Sequence, residues 1–205
     1  VEDGDLHRML SVLAGLAARG LVPILVGGTG SGFTSDVDGN VTAMSGSRSF
    51  AATYDAENRL DSMTVSGTNT QYAYDALGNR FRSVTGAVTR GFLHDPFGQL
   101  VCQVNGSGTV AADFVYAAGR LVASGTAAAG FSWHHQDKAG NALALTDSTG
   151  TVTAAYAYTP HGDVAGHSGL ASTPFTFVGT YGVMDEGNGI YFMKNRYYDA
   201  VAGRF

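Results

Sequence analysis

Cysteine, charge and long apolar runs are all scarce in this chain. Cys102 is the single cysteine among 205 residues, so no intrachain disulfide can form. With no Cys-His phrase around it, the thiol reads as a buried or half-buried spectator rather than a nucleophile. Charged residues make up 14% of the chain and the net charge is −5, against the roughly one quarter charged that is usual. A weakly charged, acidic, Lys-poor surface argues against nucleic acid or an anionic membrane as partner. No apolar run reaches the roughly 18 residues a membrane-spanning helix needs. There is also no basic start leading into an apolar leader, and the opening Val1-Glu2-Asp3 lacks Met, which points to a trimmed piece or an internal segment of a longer polypeptide. The stretch GGTGSGFT, residues 27 to 34, has the glycine spacing of a phosphate-binding loop, but Phe33 stands where Lys must reach the outer phosphates. It reads instead as a glycine turn leading into the segment that begins at Ser35, and no cofactor is expected.

Glycine is plentiful, at 29 residues, about twice the usual share. Hydrophobic residues at 44% suffice for a core, and the length suits one domain or the end of a larger one. A degenerate phrase recurs about every 20 residues: SDVDGNV from Ser35, YDAENRL from Tyr54, YDALGNR from Tyr74, HDPFGQL from His94, YAAGRL from Tyr116, a copy near Gln136, and YTPHGDV from Tyr158. Before each phrase, aromatics two residues apart share one strand face: Tyr72 with Tyr74, Phe92 with His94, Phe114 with Tyr116, Tyr156 with Tyr158. Within it, Asp55, Asp75 and Asp95 are placed to cap backbone donors just ahead, and glycines such as Gly78 and Gly98 make positive φ cheap. A second strand and a second turn follow. One period is thus a β-hairpin, too small to stand alone, that must pair into a continuous sheet. Tyr74, Tyr116 and Tyr158 should be equivalent and mostly buried.

The first 25 residues differ in kind. Leu6, Met9, Leu10, Leu13, Leu16 and Ala17 fall on one face of a helix over residues 5 to 20. Asp3 or Asp5 caps its start, and Gly20 and Pro23 end it. Its apolar face needs either the sheet interior or another chain; the interior buries more area.

These phrases resemble the Rhs/YD-repeat family. WHHQDKAGNALALTDSTGTVTAAYAYTPHGDV, residues 133 to 164, is similar to the family's core segment, and PFTFVGTYGVMDEGNGIYFMKNRYYDAVAGRF, residues 174 to 205, to the stretch that closes the repeat-associated core. The resemblance implies an all-β fold: a spiralling antiparallel sheet of hairpins, part of a hollow shell, here with a short N-terminal helix. It divides the chain into a helix and linker (1–25), YD-repeat hairpins (26–173) and a closing segment (174–205). It also implies a function, as the terminal part of a shell around a variable C-terminal toxin or effector, secreted or at a bacterial cell surface. Its partners would be that cargo, the rest of the shell and, further out, secretion machinery or surface glycans. A cell-surface adhesion protein built from the same repeats is the alternative, and a remnant of an aspartyl self-cleaving protease, active only with residues beyond 205, is the third reading.

The resemblance places the family's self-cleavage aspartate at Asp199, with Arg196 as charge partner and Arg204 as a second. Here Ala200 follows Asp199 where the family has Pro. Because an aspartyl mechanism needs two carboxyls sharing a proton, Asp199 alone performs no chemistry, and a structural Arg-carboxylate pair is expected. Asp185 and Glu186 are the nearest candidates in sequence for a second acid, though DEGNG reads first as a turn. Among His134, His135, His161 and His167, the first two point to opposite faces of a strand and cannot share an ion without a bulge; no metal is expected. Trp133 and the tyrosines are read as inter-strand packing before sugar stacking.

Overall fold

The computed structural model describes residues 32–45, 49–187 and 189–205. The helix expected over residues 5 to 20 and the linker that follows it lie outside them. Fourteen strands run as β1 (Phe33–Ser35), β2 (Val41–Met44), β3 (Phe50–Tyr54), β4 (Leu60–Val65), β5 (Thr68–Tyr74), β6 (Arg80–Thr85), β7 (Val88–His94), β8 (Leu100–Asn105), β9 (Val110–Ala117), β10 (Arg120–Thr126), β11 (Gly130–Gln136), β12 (Ala142–Thr146), β13 (Val152–Tyr158) and β14 (Val164–Gly169). Each pairs antiparallel with its neighbour in sequence, so one sheet is wound without a crossover. A 3-10 turn, Gly179–Tyr181, and a three-stranded sheet of β15 (Met184–Asp185), β16 (Ile190–Met193) and β17 (Arg196–Asp199) follow.

The aspartates make the turns. Oδ1 of Asp36, Asp55, Asp75, Asp95 and Asp147 accepts the N–H groups two and four residues ahead, at 2.8–3.0 Å, so the side chain replaces the missing strand partner. Three residues on, the chain turns left-handed at Gly39, Gly78, Gly98 and Gly150, and at Asn58 in the second unit. Asn105 and Asp147 cap the far-side turns NGSGT and DSTGT in the same way. The phrase at Tyr116 departs from this. Ala117 pairs directly with Arg120, and Ala118 and Gly119 supply the two positive φ values of a two-residue hairpin turn.

Just after each phrase the register slips by one, leaving Asp61, Phe81, Val101, Val122, Leu143 and Ala165 as extra residues on the second strand. A bulge at the same place in every unit bends and twists the sheet with a regular period. It also sets the repeat in register: Tyr54, Tyr74, His94, Tyr116, Gln136 and Tyr158 face Leu60, Arg80, Leu100, Leu121, Ala142 and Val164. Four of these six anchors then bond the unit before. The hydroxyls of Tyr54, Tyr74 and Tyr158 donate to the carbonyls of Val41, Leu60 and Ala142, and the Gln136 amide donates to that of Leu121, at 2.7–3.1 Å. Tyr74, Tyr116 and Tyr158 are therefore equivalent, but half-buried; the fully buried rings lie two residues earlier, at Tyr72, Phe92 and Phe114.

Residues 174–205 lie across the aromatic face of the sheet. Phe175, Met184 and Phe192 pack with Phe92, Leu100, Phe114 and Leu121; Ile190 packs with Ala52, Leu60, Met63 and Tyr72. The segment presses on the turns themselves. At Gly162 a Cβ would fall 2.5 Å from the Phe177 ring, and at Gly140 it would overlap Thr180, so these two glycines serve close approach as well as positive φ.

The turn carboxyls make stability sensitive to acid. Burial raises the carboxyls of Asp55, Asp75 and Asp137, but the N–H donors outweigh it and the net displacement is downward; in Asp36 and Asp147 the side-chain bonds from Asn40 and Thr149 are the leading cause. With native values below the ordinary 3.8, the stability they contribute is complete above that pH and is lost as pH falls through the native values. Urea midpoints should decline below about pH 4. Asp147→Asn, whose amide oxygen accepts the same backbone bonds, should flatten part of that decline and leave the midpoint at pH 7 little changed.

Candidate functional site

The contact that joins the two sheets centres on Arg80. In every other unit the residue at its position is apolar, yet Arg80 is 1% exposed. Its guanidinium lies over the rings of Phe192 (4.1 Å), Phe92 (4.6 Å) and Tyr72 (5.3 Å). Nη1 donates to the Tyr197 hydroxyl at 3.0 Å. Nη2 lies 2.6 Å from Glu186 Oε1, a charge contact rather than an aligned hydrogen bond. Burial opposes its charge, but Glu186 more than offsets this and holds the guanidinium firmly protonated. Burial also pushes the phenol of Tyr197 far above its ordinary range. Sheet and closing segment thus share one desolvated cation and its counter-ion, enclosed by aromatic rings.

On the far side, backbone bonds continue the seam. Ala142 N–H donates to Thr176 O, Thr180 N–H to Gly140 O, and Val178 N–H to Asn141 Oδ1, at 2.8–3.1 Å. Val178 holds φ at +53°, a strained conformation for a β-branched residue that surrounding bonds must maintain. Tyr191 and Tyr198 hydroxyls donate to Gly162 O and His161 O, both at 2.9 Å.

Asp199 and Arg196 both line a cavity of about 270 Å³ between β1–β4 and the end of the chain, with Arg204, Phe33, Phe205 and Tyr54. Asp199 Oδ1 accepts N–H bonds from Val201 and Ala202 at 2.9 Å, and its backbone pairs with that of Arg204. The two arginines stack on rings, Arg196 over Phe205 at 4.2 Å and Arg204 over Phe33 at 4.1 Å. Asp199 is the only carboxylate among the described residues lining this cavity. Glu186 is committed to Arg80, and Asp185, its carboxyl raised by burial, bonds Gly187 N–H at 2.7 Å.

His134 and His135 both bond within the sheet. His134 is buried, its ring bonded to Ser124 Oγ at 2.8 Å, and burial drives its pKa down to about 4, so it is neutral. His135 faces the other way, toward Thr146. Among the described residues no three or more of His, Cys, Asp or Glu are grouped to hold a metal. Burial, with Asp113 alongside, raises the half-buried Cys102 thiol, which favours its protonated form. Trp133 is 48% exposed on the face away from the closing segment.

No family model matches the chain. Among solved structures it superposes on the crystal structure of TcdB2-TccC3 with a TM-score of 0.55 at 13% identity, over 84% of this chain and 12% of that one. On the Tc holotoxin pore of Photorhabdus luminescens the TM-score is also 0.55, at 14% identity over 83% of this chain and 11% of that one. The fold matches one part of these chains. It is an Rhs-like β-sheet, as the resemblance implied. In sequence, the chain is 27% identical over 177 residues to the tRNA3(Ser)-specific nuclease WapA of Bacillus spizizenii and to the tRNA nuclease WapA of Bacillus subtilis. It spans 7% of the length of these curated relatives. No described helix is long and apolar enough to cross a membrane.

Arg80 is the buried charge that sequence reasoning missed, although aligning the units puts it in the position held by Leu60, Leu100 and Leu121 in theirs. Removing one partner of a buried ion pair strands the other, so Arg80→Met or Glu186→Leu should each cost about 3–5 kcal/mol. Arg80→Met combined with Glu186→Leu should recover most of that loss. A double-mutant cycle by urea unfolding reads both, and additive losses would show that the pair is not coupled.

Proposed function

We propose that this chain is a structural encapsulation module, the terminal part of an Rhs-type β-shell that encloses a variable toxin or effector segment. The observation that carries this reading is the buried Arg80–Glu186 contact. It joins residues 174–205 to the aromatic face of the sheet that runs from Phe33 to Gly169, which suits a segment that closes a shell. A sheet that bends at the same bulge in each unit suits a wall that keeps winding, and further repeats of the same protein would pair with the edges of β1 and β14. The relatives named as tRNA nucleases fit a division of labour in which an acidic wall protects and a separate enclosed segment acts. In this reading the protein is secreted or displayed at a bacterial cell surface.

Limited proteolysis of the full-length protein, followed by mass spectrometry, tests the proposal. The enclosed segment should resist protease in the native protein, and a folded Glu186→Gln variant should expose it. Digestion of that segment as fast as a detached copy would rule out enclosure.

Within the same proposal, Asp199 and Arg196 belong to a self-cutting site that is completed by a second acid from another part of the polypeptide. What supports this is their shared place in the 270 Å³ cavity. If it is right, any backbone break in the full-length protein should disappear in Asp199→Asn while the fold is retained. A break that persists in that variant would remove Asp199 from the chemistry.

A further inference from the structure

A smaller cavity of about 90 Å³ lies where the β16–β17 hairpin meets the turn at Gly98. Its polar lining comes from Asn79, Arg80, His94, Gln99, Tyr116, Lys194 and Tyr181, whose hydroxyl accepts from Arg120, with no carboxylate among the described lining residues. Two buried donors there lack a hydrogen-bond partner: the Nε of Arg80, a residue 1% exposed, and the hydroxyl of Tyr116. Burial, with Asp95 adding to it, pushes the Tyr116 phenol up to about 12, so it remains a proton donor under physiological conditions. Leaving a buried donor unpaired forfeits its solvation with nothing in return, so both groups call for an acceptor.

Charge leans the same way. Glu186 offsets Arg80, whereas Lys194 makes no ion pair among the described residues. Lys194 holds φ at +57° in the hairpin turn. Its ammonium comes so near Gly98 that a Cβ there would lie 2.8 Å from Nζ; the glycine leaves it room. The cavity therefore gathers two orphaned donors beside the exposed ammonium of Lys194, with Asp75 and Asp95 outside its lining. Its volume is about three times that of a liquid water, too small for a nucleotide or a sugar.

We propose that this cavity binds a small monovalent anion, a halide or a carboxylate. The anion would accept from Tyr116 and Arg80 with Lys194 alongside, filling the junction beside the buried cation.

The test uses sodium bromide and sodium formate, with sodium gluconate, too large to enter, holding ionic strength constant. Thermal midpoints of the chain should rise with bromide or formate as one-site linkage requires, and anomalous diffraction should place bromide in the cavity. Lys194→Met and Tyr116→Phe, checked by circular dichroism for an intact sheet, should each weaken the apparent affinity about tenfold or more, as loss of a charge-assisted bond implies. Repeating the soak on full-length protein separates the sources. Bromide in both proteins indicates a free ion, and bromide only in the shorter chain indicates a carboxylate of the polypeptide already in place. Equal responses in wild type and both variants, or water alone in the cavity, would overturn the proposal.

Discussion

A buried guanidinium governs how this molecule is put together. Arg80 occupies a position that every other unit fills with an apolar side chain, and a lone cation there would unfold the site. It is tolerated because the closing segment brings Glu186 as counter-ion, Tyr197 as acceptor and Phe192 as a ring face, while the sheet brings Tyr72 and Phe92. Neither half satisfies the charge alone. Apolar packing alone would leave the register of residues 174–205 on an aromatic face loosely set, whereas the ion pair and the seam bonds at Gly140, Asn141 and Ala142 select one. The closing segment is therefore located along the sheet at one unit, and the softer contacts at Phe114 and Gly162 fall into place around it.

The sheet is largely legible in the sequence because its physics is local. An aspartate three residues before a glycine closes a turn from within, so YDALGNR and HDPFGQL announce their geometry without reference to anything distant. The anchor spacing sets the unit order, which the uncrossed run from β1 to β14 follows. Burial is less legible. The anchors Tyr74 and Tyr158 extend toward the preceding unit to bond a carbonyl and stay half-exposed, while Tyr72 and Phe92 sit beneath the closing segment. That distinction depends on what covers the sheet, which strand alternation does not encode. The loose phrase at Tyr116 also looks in sequence like one more copy, although without an acid it makes a two-residue turn.

The site is legible only in part, for the same reason. Resemblance alone points to Asp199 and Arg196, and the fold sets both beside one cavity. In sequence Arg80 looks like the end of a surface turn, as Arg59 is, which does hold Asp55 in solvent. The missing signal is comparative: unit against unit, Arg stands where Leu stands three times. Glu186 sits in a DEGNG stretch that reads as an exposed turn. It cannot be matched to Arg80 from sequence because 106 positions of chain separate the two residues and their meeting depends on the whole sheet being built.

The central claim is that closing segment and sheet form one cooperative body around Arg80. Native-state hydrogen exchange reads this directly, since amides of independent parts open with different free energies. The account predicts that the amides of Tyr191 and Phe192, together with the seam amides of Ala142 and Thr180, exchange with the same opening free energy as the central strands β5 to β9. Faster exchange confined to the closing segment, with β5 to β9 still fully protected, would show that it opens as a separate flap and would contradict the account.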